Sequence, residues 1–321
     1  MSALVPWLLV AAGLFLLFYG GEFLVKGAAS LALRLGITPL VVGLTVVAFG
    51  TSCPELFVSI RAALEGQGDI AIGNIVGSNI SNIGLILALC AAVYPLKVAV
   101  QILRFDMPVL LGVSTVFLLM LLDGALSRIE GVVLVVGLLV YLVVVVRMSR
   151  KEHRPEIDAE FAEGVPKPAG RAWKEPALIL AGLVALAFGA RFLIDGASTL
   201  ARAFGLSEAV IGLTIVSVGT SLPELSTSLV AAFRKEGDIA VGNVVGSNLF
   251  NILCIGGLSG ALVPFSSPGV GLVDFGVMMA FTIVLLPLMR TGFTIRRWEG
   301  LMLVAAYVGY IAWLLAKDQS A

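Results

Sequence analysis

The sequence predicts an all-α polytopic membrane protein with ten transmembrane helices arranged as two inverted five-helix repeats. Three observations lead to this fold class. The 321-residue chain is 59% hydrophobic and only 13% charged, with a mean hydropathy of +1.04, whereas a soluble domain carries roughly 25% charged residues. Several apolar runs reach the roughly 20 residues that cross a bilayer as a helix. Finally, residues 43–82 align with 212–251 without a gap, at a constant offset of 169, with 24 of 40 positions identical.

The expected spans run approximately over 3–31, 37–64, 70–94, 105–123, 128–148, 174–202, 208–233, 239–262, 270–289 and 297–316. Helices are required because lipid cannot satisfy the open edge of a sheet. The first span is long enough to tilt. It follows no basic n-region and no cleavage site, so it is expected to be retained. The only sizeable polar segment separates two halves: 1–149 forms the first repeat, 150–173 a linker, and 174–321 the second repeat. Five spans per copy is an odd number, so the second copy enters the membrane from the opposite side. Inverted repeats of this kind are common in secondary transporters, which hold substrate at the repeat interface near the midplane.

Lysine and arginine positions set the orientation. With both termini outside, fifteen fall on the cytoplasmic side, among them Arg34, Lys97, Arg104, Arg147, Arg234 and Arg290. Four fall outside: Arg61, Arg128, Arg202 and Lys317. That bias satisfies the positive-inside rule and places the linker in the cytoplasm of a cell (inner) membrane protein. A net charge of zero offers no basic surface to nucleic acid. One histidine and three cysteines, Cys53, Cys90 and Cys254, leave no inventory for a His/Cys metal centre.

The chemistry is concentrated in two stretches, GLTVVAFGTSCPEL (43–56) and GLTIVSVGTSLPEL (212–225). Glu55 and Glu224 lie mid-span, where an ionised carboxylate costs roughly 2.5–3.5 kcal/mol on translocon scales. A structural ion pair could compensate them. Basic residues inside spans are few, which favours a bound cation. Pro54 and Pro223 lack an N–H, so the carbonyls of Gly50 and Gly219 lose their helical donors. These carbonyls, with the hydroxyls of Thr51, Ser52, Thr220 and Ser221, are hard oxygen ligands suited to sodium or calcium. The following helix in each half adds a stripe at i, i+4, i+8 on one face: Asn74, Ser78 and Asn82, repeated as Asn243, Ser247 and Asn251. Asn82 and Asn251 read as ligands or near-ligands, while Asn74 and Asn243 fit a ligand or a purely structural role equally well. Gly73 with Gly77, and Gly242 with Gly246, form small-xxx-small ridges that allow close helix packing. Glu22 with Lys26, and Arg191 with Asp195, read as i, i+4 ion pairs within their helices. Asp106, Asp123 and Asp274 fall near span ends and are expected to face water. Ser52 or Ser221 as an enzymatic nucleophile lacks a nearby base, so no enzyme and no cofactor is expected.

In these motifs, GTSCPEL with GNIVGSNISN and GTSLPEL with GNVVGSNLFN, the chain resembles the cation/calcium exchanger superfamily, close to its prokaryotic sodium/calcium exchangers. The resemblance covers nearly the whole chain. It implies a ten-helix fold with a diamond of cation sites between the second, third, seventh and eighth helices. It implies Glu55 and Glu224 as shared ligands of calcium and sodium, with Asn82 and Asn251 completing the diamond. It implies further ligands from the carbonyls of Ala48, Thr51, Ser217 and Thr220 and from the hydroxyls of Ser52, Ser78, Ser221 and Ser247. It also implies a gate formed by the first and sixth helices, sliding across the core of a protein that works as a monomer. One position departs from the pattern: many relatives carry aspartate where this chain has Asn251, so the site holds two formal negative charges here. The expected activity is calcium/sodium antiport by alternating access, with proton/calcium or other divalent antiport as the alternative.

Overall fold

The computed structural model describes residues 4–152, 173–204, 219–267 and 270–318. The linker 150–173 for the most part, Ser217, and much of the expected span 208–233 lie outside the described residues. The described chain is helical, in the order α1 (Leu4–Leu35), α2 (Pro39–Thr51), α3 (Cys53–Leu64), α4 (Gly68–Val93), α5 (Ile102–Asp123), α6 (Arg128–Arg150), α7 (Lys174–Ala203), α8 (Leu222–Phe233), α9 (Gly237–Leu262), α10 (Leu272–Arg290) and α11 (Arg297–Asp318). Against the ten expected spans, seven of these helices are long and apolar enough to cross a membrane, or eight when the bent pair α2–α3 is taken as one span. Of the expected span 208–233, only the twelve residues of α8 and the turn before it are described. Helix α11 stands where the tenth span is expected and is not among the seven.

Helices α4 and α9 form the centre. Helix α9 is buried along its whole apolar length and α4 along most of it, whereas the other long apolar helices bury about a third of theirs. Their mostly small and apolar sequences, GDIAIGNIVGSNIS and GDIAVGNVVGSNLF, permit this. Gly242 and Gly246 let α9 lie against α2: a Cβ on either would stand 2.8 or 2.7 Å from the carbonyl oxygens of Leu40 and Leu44.

Helices α1 and α7 form a second packing unit. The seam carries Gly13, Gly20 and Gly27 on α1 and Gly182, Gly189 and Gly196 on α7, at intervals of seven residues: Gly13 meets Gly189 and Gly20 meets Gly182, while Gly27 lies against Ile179 and Gly196 against Pro6 and Leu9. A Cβ at Gly20 or Gly189 would lie 2.9 Å from a backbone nitrogen of the other helix. The seam therefore brings the two backbones into direct contact. Within the pair, Arg34 of α1 bonds Glu175 of α7 at 2.9 Å, and Ser226 of α8, donating to the Leu17 carbonyl at 2.6 Å, ties the pair to the rest. Two-residue antiparallel strands cap the ends of the bundle. Leu96–Lys97 pairs with Thr294–Ile295, and Ala125–Leu126 with Phe265–Ser266, joining loops distant in sequence.

Three local expectations need correction. Glu22 does not pair with Lys26 on its own helix. It forms a two-pronged ion pair with Arg234, just past the end of α8, because α1 packs along α8. Asp106 does not face water. It is fully buried and accepts bonds from Tyr141 Oη at 3.0 Å and Gln101 Nε2 at 3.2 Å. Asp274 is only partly exposed and accepts a bond from Tyr310 Oη at 2.8 Å. Arg191 and Asp195 do approach each other, loosely, at 3.9 Å on an exposed face.

Candidate cation site

The break in the motif stretch builds the site. Pro54 stands at the start of α3, and α2 and α3 meet at Ser52 with a bend of 48°. Ser52 adopts φ −81°, ψ 5°. Ser221, ahead of Pro223 and α8, adopts almost the same conformation, φ −87°, ψ 5°. This bridge-region backbone is sparsely populated in general. It follows from the sequence, since the proline withdraws a donor four residues downstream of each glycine. Glu55 and Glu224 consequently lie in the first turn of new, short helices. There the exposed N–H ends of the helix favour negative charge by about 0.3–1 kcal/mol each.

The two serines then do something the sequence does not reveal. Neither caps its own helix. Ser52 Oγ donates across to Glu224 Oε1 at 3.1 Å, and Ser221 Oγ donates across to Glu55 Oε1 at 3.4 Å. Each motif thus holds the carboxylate of the other. Both glutamates are buried, 1% and 2% exposed. One oxygen of each is used in this exchange, and the second, Oε2, is buried with no hydrogen-bond partner among the described residues. Asn82 Oδ1, Asn251 Oδ1 and Ser247 Oγ are also buried and unpartnered. Buried oxygens without partners are rare in folded proteins. Five of them, all on residues expected as ligands, are supplied by α3, α8, α4 and α9.

The remaining expected ligands are accounted for as follows. Ser78 is buried on α4. Thr51 is buried and donates to Val47 O at 3.1 Å and Asn243 Oδ1 at 3.2 Å. The Ala48 carbonyl accepts the Ser52 N–H at 3.0 Å and lies beside the Thr51 hydroxyl. Thr220 lies partly buried in the turn before α8. Ser217 is outside the described residues. Among the described residues no three His, Cys, Asp or Glu side chains cluster. The donor set is therefore two carboxylates supplemented by amide, hydroxyl and carbonyl oxygens, which suits hard cations.

Asn74 and Asn243 resolve to hydrogen-bonding roles. Asn74 Nδ2 donates to the Glu55 carbonyl at 3.1 Å and Ser59 Oγ at 2.8 Å. Asn243 Nδ2 donates to the Glu224 carbonyl at 3.5 Å and Ser228 Oγ at 2.9 Å. They fasten the glutamate-bearing helices to α4 and α9. Ser59 and Ser228 were not read from the sequence, although both motif copies carry serine there. A second missed feature is the π-helical turn beginning at each diamond asparagine, over Asn82–Leu87 and Asn251–Gly256. Wide turns of this kind occur often at functional sites.

A cavity of about 740 Å³ lies beside α7 and reaches the breaks. Its walls include Gly50, Thr51, Gly219, Thr220, Leu183 and Ile194. Leu183 rests over Gly50 and Ile194 over Gly219, each close enough to fill the space of a Cβ there.

Known proteins resemble this chain along nearly its whole length. The model of the family described as sodium/calcium exchanger protein matches residues 5–147 and again 174–316. The chain is 38% identical over 315 residues to the inner membrane protein YrbG of Escherichia coli strain K12, covering 95% of this chain and 94% of YrbG. It is 33% identical over 341 residues to the sodium/calcium exchanger MaX1 of Methanosarcina acetivorans, covering 96% and 97%. Among solved structures, the sodium-calcium exchanger NCX_Mj soaked with zero Na+ and Ca2+ superposes with a TM-score of 0.84 at 32% identity, over 98% of this chain and 100% of that one.

Proposed function

The chain belongs to the sodium/calcium exchanger family of multi-pass cation/calcium exchangers, and on that premise we propose that it exchanges calcium for sodium by alternating access at the Glu55/Glu224 site. The observation that carries the reading is the reciprocal serine–glutamate exchange, together with five buried oxygens on Glu55, Glu224, Asn82, Asn251 and Ser247 that lack partners among the described residues. Glu55, Glu224, Asn82 and Asn251 form the ring of ligands. Ser52, Ser78, Ser221 and Ser247 contribute hydroxyls, and Ala48, Thr51, Ser217 and Thr220 contribute carbonyls. In this reading the molecule has ten spans in two inverted halves, 1–149 and 174–321, with the linker 150–173 in the cytoplasm and both termini outside. It works as a monomer in the cell (inner) membrane.

Charge explains why the ions are exchanged and do not leak. Two carboxylates buried together are costly to carry, empty, through an occluded state. One calcium neutralises them, and so do two sodium ions. A third sodium adds one net charge, which couples the cycle to membrane potential at about 2.3 kcal/mol per 100 mV. Helices α1 and α7 supply the moving gate, since α7 lies over both breaks through Leu183 and Ile194.

Calcium-45 flux into proteoliposomes at clamped pH tests the counter-ion. An outward sodium gradient is expected to drive uptake. Uptake driven by an imposed pH gradient and indifferent to sodium would replace this reading with proton/calcium antiport.

A further inference from the structure

Asn248 lies outside the polar stripe read from the sequence, yet it is 1% exposed and reaches from α9 to α4. Its Nδ2 donates to the backbone carbonyl of Asn79 at 3.5 Å, and its Oδ1 accepts from Asn82 Nδ2 at 2.9 Å. These contacts form a chain of obligations. A backbone carbonyl can only accept, so Asn248 must turn its nitrogen toward Asn79. Its oxygen then faces α4, where it can only accept. Asn82 must therefore present its nitrogen to Asn248, which leaves its oxygen on the opposite side. That oxygen is the buried atom without a partner. If rotated by half a turn, Asn82 would offer two N–H donors in its place, and these repel a cation.

The equivalent residue in the other half works differently. Asn79 spends its Nδ2 on the Ile75 carbonyl of its own helix, at 2.7 Å. The near-symmetric motif is thus used asymmetrically, with α9 orienting a side chain of α4.

We propose that Asn248 is a positioning residue for cation binding: it fixes the amide of Asn82 so that the oxygen, not the nitrogen, faces the transported ion. The proposal rests on the reading of Asn82 as a cation ligand. Loss of an outer partner that orients a ligand typically lowers metal affinity 10–100-fold.

A double-mutant cycle separates the two claims. Equilibrium calcium-45 binding to the purified protein, and the calcium concentration giving half-maximal flux in proteoliposomes, are measured for wild type, Asn82→Ala, Asn248→Leu and the double variant. Asn248→Leu is expected to weaken binding about tenfold alone and to have no further effect once Asn82 is alanine. Asn248→Asp keeps an acceptor for Asn82 and is expected to bind calcium at least as tightly as wild type. Asn79→Leu is expected to leave affinity within about twofold, since its side chain holds only its own helix. Equal weakening by Asn248→Leu in both backgrounds, no weakening in either, or an Asn248→Asp variant as weak as Asn248→Leu would overturn the positioning role. Wild-type affinity in Asn82→Ala would instead overturn the reading of the site.

Discussion

A glutamate at membrane depth must either find a partner or lose its charge, and Glu55 and Glu224 each find a serine from the opposite motif. Unit charges 4 Å apart interact by about 4 kcal/mol at an effective dielectric of 20. Glu55→Gln or Glu224→Gln is therefore expected to reduce calcium flux by about 100-fold after desolvation is offset. Size-exclusion profiles should remain those of wild type. Asn251→Asp tests the charge count from the other direction, since a third carboxylate is expected to tighten calcium binding by roughly tenfold, about 1.4 kcal/mol, measured by calcium-45 equilibrium binding. Glu55, Glu224, Asn82 and Asn251 stand out in the sequence because a charge or amide inside an apolar span has few explanations, and all four are buried. Their partners do not stand out. Ser52 and Glu224 are 172 positions apart, and no periodicity links them. Asn248 lies off the i, i+4, i+8 stripe, so the sequence does not mark it, although it repeats at Asn79. Asp106 reads as water-facing because nearness to a span end says nothing of Tyr141, which covers it from 35 residues away.

The helical breaks were legible because proline four residues after glycine has a definite backbone consequence. The resulting 48° bend and the placement of each glutamate in a new first turn follow from it. The pairing of helices was less accessible. Glu22 and Lys26 have the spacing of a local pair, and only the contact of α1 with α8 shows why Arg234 takes Glu22 instead. The pair is partly exposed, so its contribution to stability is small. A charge swap, Glu22→Arg with Arg234→Glu, is expected to recover flux that either single reversal reduces. The glycine seam is more demanding. At Gly189 an added Cβ would lie 2.9 Å from the Leu17 backbone nitrogen, and backbone cannot step aside as a side-chain tip can. Gly189→Val is therefore expected to lower thermal stability in detergent by about 1–3 kcal/mol.

At the scale of the whole molecule, the proposed alternating access requires the unit α1–α7 to move relative to the core. Cross-links test this directly. In a cysteine-free background, Leu9→Cys with Gly196→Cys joins α1 to α7, where a Cβ on Gly196 lies 3.0 Å from that of Leu9. Oxidation is expected to leave calcium-45 flux intact. Gly21→Cys with Ser226→Cys joins α1 to α8 and is expected to stop flux until reductant is added. The seven-residue spacing of the seam adds a further consequence. Between one glycine register and the next lie about 10.5 Å of helix and several side chains that cannot pass a bare backbone. Small slips between α1 and α7 are therefore blocked, and in the proposed cycle the two helices would translate as a single rod. A carrier with one such rod would have one mechanical coordinate, so its inner and outer mouths could not be set independently. Closing one and opening the other would be the same displacement, and a through-passage would require the rod to break.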